Sequence, residues 1–198
     1  NNASGMNCGT HANSDKELIS AKIVLADGTR LDTGDAASRR AFEQSHAPFL
    51  KRIAELRDDI RADQALSDRI RKKYAIKNVT GLNLLPFVAY DDPFDIIAHL
   101  MVGSEGTLAF LSEVTMKTEH DYPCSASAML YFNDIKEACH AVVAMKQGPV
   151  FSAEMLDKKS LASVGDTTGE GLTAVLTETK ADTPEELQAH IEAIKKIL

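Results

Sequence analysis

The chain has 198 residues, of which 44% are hydrophobic and 26% charged. That is the mix of a soluble globular protein of one full or two small domains, and it excludes disordered, collagenous and coiled-coil classes. A net charge of −7, from 22 Lys and Arg against 29 Asp and Glu, disfavours nucleic acid and anionic membrane as partners unless the basic residues are concentrated. Between Asp35 and Lys77 they are: 11 basic against 7 acidic residues make this stretch +4 and leave −11 for the remainder. No apolar run approaches the roughly 18 residues of a membrane-spanning helix, and no leader pattern opens the chain. The first residues, Asn1-Asn2-Ala3-Ser4-Gly5, form a polar, turn-like segment with no element to turn from, and the chain is expected to be a fragment. Cys8, Cys124 and Cys139 are far apart and lack CxxC spacing, which suggests neither a disulfide framework nor a zinc site and points to a reducing, cytoplasmic compartment.

Leu18 to Leu25 is rich in β-formers, and Asp27-Gly28 followed by Thr29-Arg30-Leu31 predicts a hairpin. Asp35 is placed to cap a helix whose apolar positions Ala41, Phe42, Phe49, Leu50, Ile53, Leu56 and Ile60 recur every three or four residues, with a break or kink at Pro48. A second helix is expected from about Gln64 to Tyr74. Its Arg69, Arg71, Lys72 and Lys73 read as a solvated face, with an anion or partner surface as the alternative. Asp92-Pro93 predicts a capped helix through Ile96, Ile97 and Leu100 that stops at Gly103, and Thr107 to Lys117 alternates as a strand. The polar stretch from Glu119 to Pro123 is the expected domain boundary.

Beyond it, Ala126 to Phe132 reads as a strand, and Asn133 as the cap of a helix carrying Ala138, Val142 and Met145. Val150 to Leu156 reads as a strand, and a short helix carries Lys159, Leu161 and Val164. Leu172 to Thr179 is a further strand, and Thr183-Pro184-Glu185-Glu186 opens a final helix as a capping box. That order suggests an α+β, ferredoxin-like split unit.

Chemistry centres on two glycine-containing loops. Gly103 and Gly106 flank Ser104 and Glu105, a spacing that allows close backbone approach to a phosphate or a flavin edge, with a plain turn as the alternative. Asn1 to Thr10 is a similar small-residue surface rich in donors. Neither is a GxGxxG or GxxxxGK[ST] fingerprint. Glu105 reads equally as a group that polarises ribose or flavin and as one that bonds neighbouring backbone. Asp157 reads as a helix cap rather than an acid–base partner of Glu154. His11, His46, His99, His120, His140 and His190 show no metal-binding spacing, so no metal site is expected. Cys8 reads as a buried inert cysteine, with a reactive thiol as the alternative.

Asn-Asn-Ala-Ser-Gly-Met at 1–6, Ile23 to Thr29, and above all Val102-Gly103-Ser104-Glu105-Gly106-Thr107-Leu108 followed by Ala109 to Thr115 resemble the second half of the flavin domain of FAD-linked oxidases of the vanillyl-alcohol oxidase and D-lactate dehydrogenase type. Asp91 to Ile97, following a basic helical insert, narrows the resemblance to large bacterial D-2-hydroxyacid dehydrogenases that join a FAD domain to an iron–sulfur domain. Glu154 to Asp157 resembles the start of that family's cap.

The resemblance implies the C-terminal half of a FAD-binding domain (1–120, helical insert about 35–77) followed by the N-terminal part of a ferredoxin-like substrate or cap domain (121–198). It implies FAD contacts from Asn1, Asn2, Ala3, Ser4 and Gly5, and from Gly103, Ser104, Glu105, Gly106, Thr107, Leu108, Ala109, Phe110 and Leu111. The implied activity is oxidation of a D-2-hydroxy acid such as D-lactate, with hydride passing to FAD and electrons to an iron–sulfur centre or another acceptor. Peripheral membrane association is left open. Ala109 stands where the family has glycine and Leu82 where it has tyrosine. The catalytic and metal-binding histidines, the iron–sulfur cysteines and the first flavin loop are implied outside this chain, so the chain alone is expected to be inactive. The alternative is a non-catalytic ferredoxin-like module with a basic docking arm.

Overall fold

After a single turn of helix at Ser14–Glu17 (α1), Leu18–Val24 (β1) and Arg30–Asp32 (β2) form the antiparallel hairpin that Asp27-Gly28 predicts. Gly28 takes φ +86°, a left-handed conformation cheap only without a Cβ, and Asp27 Oδ1 accepts the Thr29 N–H at 2.8 Å. The computed structural model describes residues 2, 5, 12–79, 81–165 and 173–198. It divides into two units, Asn1–Glu119 and His120–Leu198.

In the first unit Asp35 caps Ala36–Ala62 (α2) by accepting the Ser38 N–H at 2.7 Å. The helix runs through Pro48, and its irregularity falls two residues earlier, at His46 (φ −128°, ψ 28°). Proline has no N–H for the Gln44 carbonyl and its ring crowds that carbonyl, so the turn before it opens. His46 then stacks on Phe42, with ring centroids 4.4 Å apart. Its Nε2 lies 3.3 Å from both Thr29 Oγ1 and Asp27 Oδ2, fastening the kink to the hairpin turn.

Asp63 caps the next helix, Gln64–Lys73 (α3), and Leu85–Ala89 (α4) leads into Pro93–Leu100 (α5), capped by Asp92. Phe110–Met116 (β3) pairs antiparallel with β1, giving the order β2-β1-β3. Its expected first residues, 107–109, are held instead in the preceding loop. The core joins Phe94, Ile96, Ile97 and Ala98 of α5 to Ala21 and Ile23 of β1, Leu31 of β2 and Phe42 of α2.

Much of the basic charge on α2 is engaged within the fold. Arg61 forks onto three acceptors of the α4–α5 connection: Nε donates to the Phe87 carbonyl at 3.0 Å, Nη2 to the Tyr90 carbonyl at 2.7 Å, and Nη1 to Asp91 Oδ1 at 2.5 Å. Arg57 donates to the Asp91 carbonyl, and Arg39 pairs with Asp92 while its guanidinium lies over the Phe94 ring. Arg69, Arg71, Lys72 and Lys73 on α3 are exposed.

The second unit runs Cys124–Phe132 (β4), Ile135–Met145 (α6), Ser152–Leu156 (β5), Lys158–Ser163 (α7), Thr173–Ala181 (β6) and Pro184–Ile197 (α8). Its sheet is antiparallel with the order β4-β6-β5, Thr177 standing between Ala128 and Ala153. The chain is thus mixed α/β with two small antiparallel sheets. Asp134, not Asn133, caps α6, because its carboxylate accepts the N–H groups of both Lys136 and Glu137. Asn133 sits one residue outside and donates to Glu137 Oε2. The Thr183 box forms with a shift: Thr183 Oγ1 accepts the Glu186 N–H, while Glu186 reaches back to the N–H of Asp182. No described helix is long and apolar enough to cross a membrane.

Two outcomes follow for the first unit. Arg61→Ala removes a three-pronged charged donor and should destabilise the unit by roughly 1.5–3 kcal/mol. Arg61→Lys should recover little, since one ammonium cannot reproduce the fork; denaturant unfolding of both variants measures this. The Asp27 carboxyl is lowered from 3.8 to about 2, first by the Thr29 N–H and hydroxyl, then by His46. A carboxyl depressed on folding stabilises above its unfolded value and ceases to do so as pH falls through its folded value. The stability gap between the native protein and Asp27→Ala should therefore be full above pH 3.8 and close as pH falls toward about 2. Thermal unfolding of the two proteins across that range checks it.

Candidate functional site

The end of α5 builds the first candidate loop. Gly103 takes φ +86° and the buried Ser104 turns inward, its Oγ donating to the Met101 carbonyl at 2.8 Å. The Ser104 carbonyl accepts both the N–H of Thr107, at 2.9 Å, and its hydroxyl, at 2.5 Å. Between these anchors Glu105 (φ +52°) and Gly106 (φ +75°) both lie in the left-handed region. Both are exposed, and among the described residues their N–H groups carry no hydrogen bond. Adjacent backbone donors without a partner, on two exposed residues, suit an anionic oxygen such as that of a diphosphate. The Glu105 side chain bonds no neighbouring backbone among the described residues.

The two glycines differ. A Cβ on Gly106 would meet nothing within 4 Å, so its face is open to a ligand, whereas a Cβ on Gly103 would stand 2.6 Å from the Gly81 carbonyl oxygen. Gly103 is a packing requirement; Gly106 leaves a cradle. The chain continues through exposed Thr107 and Leu108 and the partly buried Ala109, which packs against the core, to Phe110 (67% exposed) and Leu111.

Of the opening segment, Asn1, Ala3 and Ser4, with Cys8 and His11, lie outside the described residues. Asn2 is buried: its Nδ2 donates to Asp15 Oδ1 at 3.1 Å and to the Asn78 carbonyl at 2.9 Å, and its Oδ1 accepts the Asp15 N–H at 3.1 Å. The Gly5 carbonyl accepts from Lys77 Nζ at 2.9 Å. Asn83 Nδ2 donates to the other Asp15 oxygen at 3.4 Å, and Asn83 Oδ1 accepts the Leu85 N–H at 2.8 Å. Segment 77–83 therefore touches both predicted loops, the opening one through Asn78 and Lys77 and the second through Gly81. Sequence reasoning missed Asp15, Lys77, Asn78, Gly81 and Asn83. Single polar residues without periodicity give no signal for partners up to 76 positions away.

Nearby, Tyr90 stacks on buried His99, whose Nδ1 lies 2.7 Å from the Asp95 carbonyl. Burial first, then the charges of Asp15 and Asp95, push the Tyr90 phenol above its ordinary value. In the second unit Asp157 caps α7, accepting the Ser160 N–H and hydroxyl at 2.8 Å each, which holds its carboxyl low. Glu154 stands opposite Leu176 on β6. Among the described residues no group of three or more His, Cys, Asp or Glu is arranged to hold a metal.

Residues 124–198 match the family described as FAD linked oxidases, C-terminal domain. The match supports an FAD-linked oxidase family and an oxidoreductase activity with FAD as its cofactor. Comparison with curated proteins gives no match.

Since both glycines are left-handed but only Gly103 is hemmed in by backbone, Gly103→Ala should cost more stability than Gly106→Ala. The latter should lose only the left-handed penalty of about 1–2 kcal/mol. Paired chemical denaturation curves test the ranking, and equal losses would show the Gly81 contact to be yielding.

Proposed function

We propose that this chain belongs to an FAD-dependent oxidoreductase that oxidises a D-2-hydroxy acid such as D-lactate and passes electrons to an iron–sulfur centre or another acceptor. The match of residues 124–198 to the C-terminal domain of FAD linked oxidases carries the flavin part of this reading. The D-2-hydroxy acid and the iron–sulfur acceptor rest on the resemblance of Asp91 to Ile97 and of Val102 to Thr115 to that class of dehydrogenase. In this reading residues 1–120 are the second part of a FAD-binding domain and residues 121–198 the beginning of a substrate cap. The succession β4, α6, β5, β6 and α8, with the short α7 in the connection from β5 to β6 and with β6 between β4 and β5 in the sheet, favours a ferredoxin-like cap. Free thiols at Cys124 and Cys139 suit a reducing cytoplasm.

FAD, when bound, supplies the hydride-accepting chemistry. The chain's own part is to bind and orient. The unbonded N–H groups of the exposed Glu105 and Gly106 favour the diphosphate as the group held there, with Gly106 letting it approach without a Cβ. Leu108, Phe110 and Leu111 offer apolar surface for a neighbouring ring. Of the opening segment, Asn2 and Gly5 are tethered to Asn78 and Lys77, and Asn1 to Gly5 are the second set of groups this reading assigns to FAD. Engagement of Arg39, Arg57 and Arg61 within the fold takes three of the 11 basic residues of that stretch away from the docking-arm alternative.

Protein expressed from its full coding sequence should copurify with FAD, and anaerobic addition of D-lactate or a related D-2-hydroxy acid should bleach its visible absorbance, while the L-enantiomers should not. Gly106→Val should abolish flavin retention and leave residues 120–198 folded, because a β-branched side chain both fills the cradle and disfavours positive φ. A flavin-free native protein, or a Gly106→Val protein with full flavin, would overturn the placement of FAD at this loop.

A further inference from the structure

We infer that Asp15 is a positioning residue whose carboxylate joins the opening loop to segment 81–85, and through it to the Gly103–Gly106 loop, so that the two loops keep one spacing. The inference rests on the flavin reading only for what the loops hold; the coupling itself stands on the geometry.

Asp15 is 8% exposed and lies between two buried amides, Asn2 at 6% and Asn83 at 4%. Each of its oxygens accepts from one of them, Oδ1 from Asn2 Nδ2 at 3.1 Å and Oδ2 from Asn83 Nδ2 at 3.4 Å. Its N–H donates to Asn2 Oδ1. Asn83 turns its own oxygen to the Leu85 N–H, so its amide is also occupied at both ends. Two NH2 groups facing one residue require two acceptors, which only a carboxylate offers at this size. An amide there would present an NH2 to one of the two NH2 groups, and a buried donor without an acceptor is costly. From Asn83 the path continues two residues back to Gly81, whose carbonyl oxygen abuts Gly103 so closely that no Cβ fits. A backbone contact of that kind transmits position, because neither partner has a side chain that can rotate away.

The chemistry supplies its own control. In Asp15→Asn the shape is kept and one donor is stranded. In Asn83→Asp two buried carboxylates face each other. In the double exchange Asp15→Asn with Asn83→Asp, every bond is restored: Asn2 Nδ2 donates to the new amide oxygen, the new amide at 15 donates to the carboxylate at 83, and that carboxylate accepts the Leu85 N–H. Overall charge is unchanged.

Amide hydrogen exchange of the 198-residue chain, without flavin, reads the coupling. Each single substitution should speed exchange at least about fivefold at the bonded amides of Asp15, Leu85, Ser104 and Thr107, the loss expected for one net hydrogen bond, with β1 and α5 unchanged. The double exchange should return all four to native rates. Acceleration confined to Asp15, acceleration spread over the whole unit, or a double variant no slower than the singles would each overturn the inference. In protein expressed from its full coding sequence, the FAD dissociation constant should rise about fivefold or more in the singles and recover in the double. Coupled exchange in a native protein that binds no FAD would uphold the latch and defeat the flavin reading. Uncoupled exchange in a flavin-loaded protein would do the reverse.

Discussion

The backbone of Gly81 takes the place where a side chain at Gly103 would begin: a Cβ there would stand 2.6 Å from the Gly81 carbonyl oxygen. Much of the first unit is arranged around that contact. For the backbone at 81 to come so near, the segment leading into α4 must be held from behind. Asn83 and Asp15 do this on one side, and the Arg61 fork on the Phe87 and Tyr90 carbonyls does it on the other. α5, capped by Asp92, then delivers Gly103 to the same place.

This arrangement separates two reasons for glycine that look identical in a G-x-x-G spacing. At Gly103 the absent Cβ makes room for the protein itself; at Gly106 it makes room for something outside it. Ser104 explains how the loop stays in shape between them. Its hydroxyl and carbonyl are both engaged within the loop, and the backbone donors of the exposed Glu105 and Gly106 carry no hydrogen bond among the described residues. A loop rigid at its anchors and open at its middle orders little on binding, and the entropic cost of taking a ligand is correspondingly small.

Charge is handled with the same economy. The excess of basic residues between Asp35 and Lys77 looks like a surface for an anionic partner when read as composition. In the fold Arg39, Arg57 and Arg61 of that stretch are turned onto Asp91, Asp92 and the carbonyls beside them. A guanidinium with several acceptors in fixed directions is a cross-link between α2 and the α4–α5 connection, and it keeps α2 packed on the helices that carry the candidate loop.

What the sequence determined by itself were the hairpin turn and most of the helix caps, closed by bonds within four residues along the chain. The Asp27-Gly28 turn and the caps at Asp35, Asp92, Asp157 and Thr183 all form where their spacing predicts. Each is a bond between a side chain or carbonyl and an N–H two to four positions on, so no tertiary information is needed. At the start of α6 the expected cap, Asn133, is not the one that forms: Asp134, whose carboxylate reaches two N–H groups, takes that place. The two roles of Gly103 and Gly106 and the meeting of Asn2, Asp15 and Asn83 were decided only by the tertiary structure. Their partners are 13 to 76 residues apart, and an isolated amide or carboxylate carries no mark of which distant group will face it once the apolar faces of β1, α2 and α5 have closed.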